Sequence, residues 1–354
     1  MLIYWLLFGM AAVLALFFPF REGRMQLGVG HTLAMIAFVL FYASVATLRH
    51  EIGGDWETYA TMYGFARQST FTEIVQFTDP LFGVILWVAA RLGTDQYLPN
   101  GLCAAIMVWG VVRLAMTTRE PWLAILSAVP YLLVVVGMGY VRQAGAMGLV
   151  MAAMAGIDHR ARWATFGMLF LAAGLHLTAG VVFPLFAMVM ARRNMALVSI
   201  LGLVGFSFAG VLMERLNTFQ DAYLGQSYDS SGAGVRLAMS VLPSLLLLVR
   251  WKRFDATGML RSLWLLVAVT NIGLIAALYL SPSSTAVDRV ALYFAPVQMV
   301  VFGSLVELTG VGRRGAYGMR IASIMGVGVV QVVWLVMATF AELWVPYKSI
   351  AELI

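Results

Sequence analysis

Charge is what this sequence has least of. Only 11% of its residues are Asp, Glu, Lys or Arg, while 62% are hydrophobic. Soluble domains run at about 25% charged and about 45–50% apolar, so an ordinary soluble domain is excluded. Cysteine is nearly absent: Cys103 stands alone in an apolar run, which rules out an intrachain disulfide and a thiolate metal site. The 4 histidines (31, 50, 159 and 176) show no paired spacing, and no metal or other cofactor is expected. Lysine is limited to positions 252 and 348, and the net charge of +6 is carried by arginine between apolar runs. That placement follows positive-inside topology and not a nucleic-acid surface. There is no internal repeat.

What is present is a succession of apolar runs near the ~20 residues that cross a bilayer. They predict an all-α, polytopic transmembrane bundle of about twelve spans: 2–20, 29–47, 98–116, 122–140, 143–157, 163–174, 176–191, 195–213, 235–250, 262–281, 290–308 and 319–341. Residues 1–20 lack a basic n-region and a small-residue cleavage site, and are read as a retained span. Six basic clusters (Arg21/Arg24, Arg113/Arg119, Arg160/Arg162, Arg192/Arg193, Arg250 to Arg261, Arg313 to Arg320) hold 15 of the 23 basic residues. If they share the cytoplasmic side, both termini and loops 48–79, 214–234 and 282–289 face outward. The parity holds only if the short run 80–92 does not cross. Its length covers ~20 Å of a ~30 Å core, which predicts a re-entrant or interfacial helix. The whole is one integral membrane domain, with an interfacial helix expected in loop 48–79.

Ionisable and polar groups gather on the outward edge: Arg49, Asp55, Arg142, Gln143, His176, Asp288, Arg289 and Tyr293. Any one of them is easily structural, since a lone Arg at a span end snorkels to headgroups. Together they fit an anionic ligand. Guanidinium binds phosphate bidentately and keeps its charge, and a nearby His or carboxylate can move a proton. Gly53-Gly54 beside Asp55 is expected to let the backbone approach a ligand. Asp55, Glu51 and Asp288 are the expected partners of the buried cations. The match of 310–315 to GxGxxG lacks a preceding strand and is rejected as a dinucleotide site.

The marks Arg49-x-x-x-Gly53-Gly54-Asp55-x-x-x-Tyr59, Tyr140-Val141-Arg142-Gln143, Leu175-His176 and Asp288-Arg289-x-x-x-Tyr293 come in an order that resembles the EpsG family of bacterial exopolysaccharide polymerases, functional relatives of the Wzy polymerases. The resemblance implies a GT-C-like polymerase in the bacterial cytoplasmic membrane. It would join undecaprenyl-diphosphate-linked oligosaccharide repeats on the outer face. Donor and acceptor are lipid-linked, the surroundings are membrane lipids, and candidate protein partners are the flippase and chain-length regulator of the same pathway.

On that reading Arg49, Arg142 and Arg289 bind the diphosphate leaving group. His176 or Asp55 takes the acceptor proton, with His176 preferred, and Tyr59, Gln143, Asp288 and Tyr293 complete the substrate site. The rivals are a flippase for lipid-linked sugars, a membrane O-acyltransferase using His176, and a glycan ligase. A flippase needs charge along a path across the bilayer, whereas the span interiors here are nearly free of it.

Overall fold

A computed structural model describes residues 1–18, 28–158, 162–190, 199, 232–256, 258–281 and 284–352. Among them the chain forms α1 (Leu2–Phe17), α2 (Val29–Leu48), α3 (Trp56–Gln68), α4 (Phe71–Phe77), α5 (Pro80–Leu92), α6 (Tyr97–Ala115) and α7 (Pro121–Gly139). It continues through α8 (Val141–Ala155), α9 (Arg162–Leu175), α10 (Leu177–Met190), α11 (Ala233–Val249), α12 (Gly258–Leu280), α13 (Ser284–Ala291), α14 (Val297–Gly303), α15 (Leu305–Thr309) and α16 (Arg313–Met337). Of these, α2, α6, α7, α12 and most of α16 are long and apolar enough to cross a membrane. The chain is a multi-pass helical membrane protein. The expected span 195–213, nearly all of loop 214–234, and the basic residues Arg21, Arg24, Arg160, Arg192 and Arg193 lie outside the described residues.

The bundle is built round α7. Its sequence carries no charge, and every residue from Pro121 to Gly139 is buried, as a helix apolar on all sides must be. Pro121 opens it, where a missing N–H costs nothing. The next proline, Pro130, falls inside, and residues Val129–Val136 take the wider π-helical turn. Carbonyls of that stretch find donors elsewhere: Leu133 accepts from the Tyr42 hydroxyl and Val134 from the Trp344 indole, each at 3.1 Å. α1, α6, α14 and α16 pack around it.

A second constraint fixes α8. Gly110 of α6 and Gly148 of α8 meet so closely that a Cβ on either would lie 2.1 Å or 2.3 Å from a backbone oxygen of the other helix. Small residues let membrane helices cross at backbone contact. The crossing sets the height of α8, and so of Arg142 in its first turn.

The two ends of the bundle differ. At one end, Arg320 donates to both oxygens of buried Glu120 at 2.7 Å and 2.8 Å, and Arg119 pairs with Asp255 and Glu307. The basic clusters at 113–119, 250–261 and 313–320 therefore share an end, as the charge pattern required. At the other end the C-terminal segment ties down the turn after α2. Gly53 N donates to Leu343 O at 2.9 Å, His50 N to Lys348 O at 3.0 Å, and Tyr347 Oη to Val45 O at 2.8 Å. Both flanks of α5 also meet this second end, with Asp79 before it against α8 and Tyr97 after it 2.7 Å from His50 Nδ1. Its two flanks thus lie at the same end of the bundle.

One expectation is corrected. The run 290–308 is not a continuous span but α13, a stretch of tight turns over 292–296, then α14 and α15. Pro296 supplies no N–H, so the hydrogen-bond ladder restarts after it.

Replacing Gly148 with Val is expected to cost at least about 3 kcal/mol through overpacking, read as a lowered Tm in detergent. Gly167→Ala, at a position with open space around it, is expected to leave Tm unchanged or raise it.

Candidate active site

The site is assembled where five segments end together: the turn before α3, the start of α5, the start of α8, the α9–α10 junction and α13. Its centre is Asp79, which directly precedes Pro80 of α5 and is only 2% exposed. A carboxylate so buried needs partners. Arg142 Nη1 donates to its Oδ2 at 2.8 Å, His176 Nδ1 lies 3.3 Å from the same oxygen, and Leu177 N donates to Oδ1 at 3.1 Å. Burial works to raise the Asp79 pKa. The His176 hydrogen bond and charge, the Arg142 guanidinium and the Leu177 N–H outweigh it and hold the carboxyl below its ordinary range.

An ionised carboxylate only accepts hydrogen bonds, so His176 Nδ1 carries the proton. In the neutral ring, Nε2 is then left with its lone pair. His176 sits in extended backbone between α9 and α10, which exposes its ring to the site and its neighbour's N–H to Asp79. Arg142 is oriented on several sides. Nη1 also reaches Thr78 Oγ1 at 3.2 Å, its backbone N–H points to the Tyr59 hydroxyl at 3.4 Å, and its guanidinium lies 5.9 Å from the Phe82 ring centre. Its Nε is buried and has no hydrogen-bond partner among the described residues.

Asp55, just ahead of α3, faces the same space. Burial raises its pKa, against the opposing pull of Arg289, Arg142 and His176. Arg289 is exposed, and its guanidinium makes no ion pair among the described residues. The loop around it is pinned from both sides: Gln143 Nε2 donates to Arg289 O at 3.0 Å, and the Tyr293 hydroxyl lies 3.2 Å from Thr178 Oγ1. Asp288 turns away from Arg289 and takes a two-pronged bond from Arg236 at 2.8 Å and 2.9 Å.

Of the residues singled out from the sequence, Asp55, Tyr59, Arg142, Gln143, His176, Arg289 and Tyr293 come together, with Asp288 at the edge. Arg49 does not join them. It is 1% exposed at the end of α2, where it donates to Ala46 O and, at 3.1 Å, to Asn100 Oδ1, with tyrosines 4, 42, 59 and 347 around it. Gly53 also has another task than ligand approach. At φ +102° its backbone presses on Met138 O and Gly139 Cα, so a Cβ would meet them at 2.7 Å and 2.8 Å. Glu51 pairs with Lys348 at 2.6 Å and leaves the buried cations alone.

Asp79 and Arg236 were not anticipated. The available signal for Asp79 was Thr-Asp-Pro at the head of an apolar run, a carboxylate with no surface to go to.

A profile of the EpsG family matches residues 32–349. The chain belongs to the EpsG family. No curated protein and no solved structure matches it. The match spans every segment that contributes to the site.

The two carboxylates separate in acid. Asp55, with its raised pKa, protonates at higher pH than an ordinary Asp near 3.9, while Asp79 stays ionised below that. An activity that needs ionised Asp55 is therefore expected to fall as pH drops through a value above the ordinary carboxylate range. In Asp55→Glu, a pH–rate series is expected to keep such a limb at a shifted position, and Asp55→Asn is expected to lower activity at every pH.

Proposed function

We propose that this EpsG-family protein polymerises lipid-diphosphate-linked oligosaccharide repeats, as a glycosyltransferase-type polymerase of GT-C-like arrangement at the outer face of the bacterial cytoplasmic membrane. The observation that carries the proposal is the shared carboxylate. Asp79 holds the Arg142 guanidinium and the His176 imidazole side by side, at the end of the bundle opposite the basic clusters 113–119, 250–261 and 313–320. Family membership supports the polysaccharide class of substrate.

The donor is a glycan on undecaprenyl diphosphate, and the acceptor is a hydroxyl of a second lipid-linked repeat. The acceptor oxygen attacks the anomeric carbon, the bond from that carbon to the phosphate oxygen breaks, and its electron pair leaves with the lipid diphosphate. Arg142 and Arg289 stabilise that charge. His176 Nε2 takes the acceptor proton. Its imidazolium is then stabilised by Asp79, as a carboxylate behind a histidine does in acyl-transfer enzymes. Asp55 lies near enough to orient Arg289 or the acceptor hydroxyl. Arg49, Tyr59, Gln143 and Tyr293 contribute by holding the frame. At the other end Arg119 and Arg320 are paired with carboxylates.

Purified protein given lipid-diphosphate-linked repeats, without nucleotide sugar, is expected to produce a ladder of products on a gel. Arg142→Ala is expected to lose it by at least about 100-fold, the scale of a lost charge-stabilising donor, and Arg142→Lys to recover little because one ammonium replaces a two-edged fork. A folded wild type that makes no ladder overturns the polymerase reading.

A further inference from the structure

An apolar cavity of about 420 Å³ lies between α11 and α16, with α7 and α14 as its back wall. Leu242 on its rim is 67% exposed, so it opens sideways out of the bundle. Met239, Pro243 and Leu246 line it from α11. With Arg236 they fall three, seven and ten residues along one helix and form a single stripe. Arg236, at the head of the stripe, is bonded to Asp288 at the edge of the active site. The stripe then descends ~15 Å, about half of a ~30 Å hydrocarbon core. The cavity itself begins one turn below Arg236, at Met239, and reaches Leu246 and Leu305. An apolar groove that opens to lipid under the stripe leading from the proposed diphosphate site fits the tail of the same substrate.

We propose that this cavity binds the polyisoprenoid tail of the lipid-linked substrate; the proposal rests on the lipid-diphosphate reading above. Bulk acyl chains are the alternative occupant; the continuity of the stripe with the Arg236–Asp288 pair at the edge of the site favours the substrate's own tail. Gln298 lines the cavity, is 4% exposed, and its Nε2 has no hydrogen-bond partner among the described residues. The volume lies in the usual range of small-molecule sites and takes a segment of the tail, with the remainder lying in lipid.

Gly326 gives a clean test. A Cβ there has nothing within 4 Å, so a side chain can begin there, and Gly326→Phe directs a ring into the cavity from α16 and removes a helix-interior glycine. The probe is a benzophenone-bearing polyprenyl phosphate without glycan, in nanodiscs. Wild type is expected to be labelled on α11 or α16, and Gly326→Phe about tenfold less. Excess phospholipid with saturated chains is expected not to compete. Equal labelling of Gly326→Phe, or competition by that phospholipid, overturns the proposal. Loss of the ladder reading alone, with labelling as expected, overturns the polymerase assignment and spares the tail site.

Discussion

The structure depends on one buried carboxylate. Asp79 stands at a helix start in apolar surroundings, and its ionised form is tolerable there only because a guanidinium, an imidazole and a backbone N–H converge on it. The dependence runs both ways. Without Asp79, Arg142 and a protonated His176 would be two cations side by side in low dielectric, each destabilising the other. The carboxylate thus sets the direction of both functional groups, and its cost is offset by the order it imposes on three helices distant in sequence.

The rest of the fold supplies the frame for that contact. The α6–α8 crossing at Gly110 and Gly148 sets where α8 begins. The break in α7 at Gly139, with Trp344 against it, turns the chain so that Tyr140 and Arg142 face the site. Short α5, whose flanks both meet the same end of the bundle, delivers Asp79 from the side. At the far end the Glu120–Arg320 pair closes the bundle, and removing one partner there would leave the other charge buried and unpaired.

Much of this was legible in the sequence. Hydropathy and length located the apolar helices, five of which among the described residues are long and apolar enough to cross a membrane. Scarcity of charge made Arg142 and His176 stand out, since each interrupts an apolar hairpin at its turn. Partner choice was not legible. Asp79 lies 63 residues from Arg142 and 97 from His176, and only the folded crossing brings them together. Arg49 misled for the opposite reason: its position beside Gly53-Gly54-Asp55 implied a shared role, but at the helix end its side chain turns into the core toward Asn100. Gly53 serves close backbone packing against α7, a need that no local pattern announces.

The central claim is that Asp79, His176 and Arg142 act as one unit. It is tested most directly by comparing polymerisation rates of Asp79→Asn, His176→Ala and the double variant, all confirmed folded. Groups that act together lose far less in combination than the product of their separate losses. The account predicts that the double variant is within about threefold of the poorer single. Losses that multiply would show that Asp79 acts independently of His176, and would contradict the account.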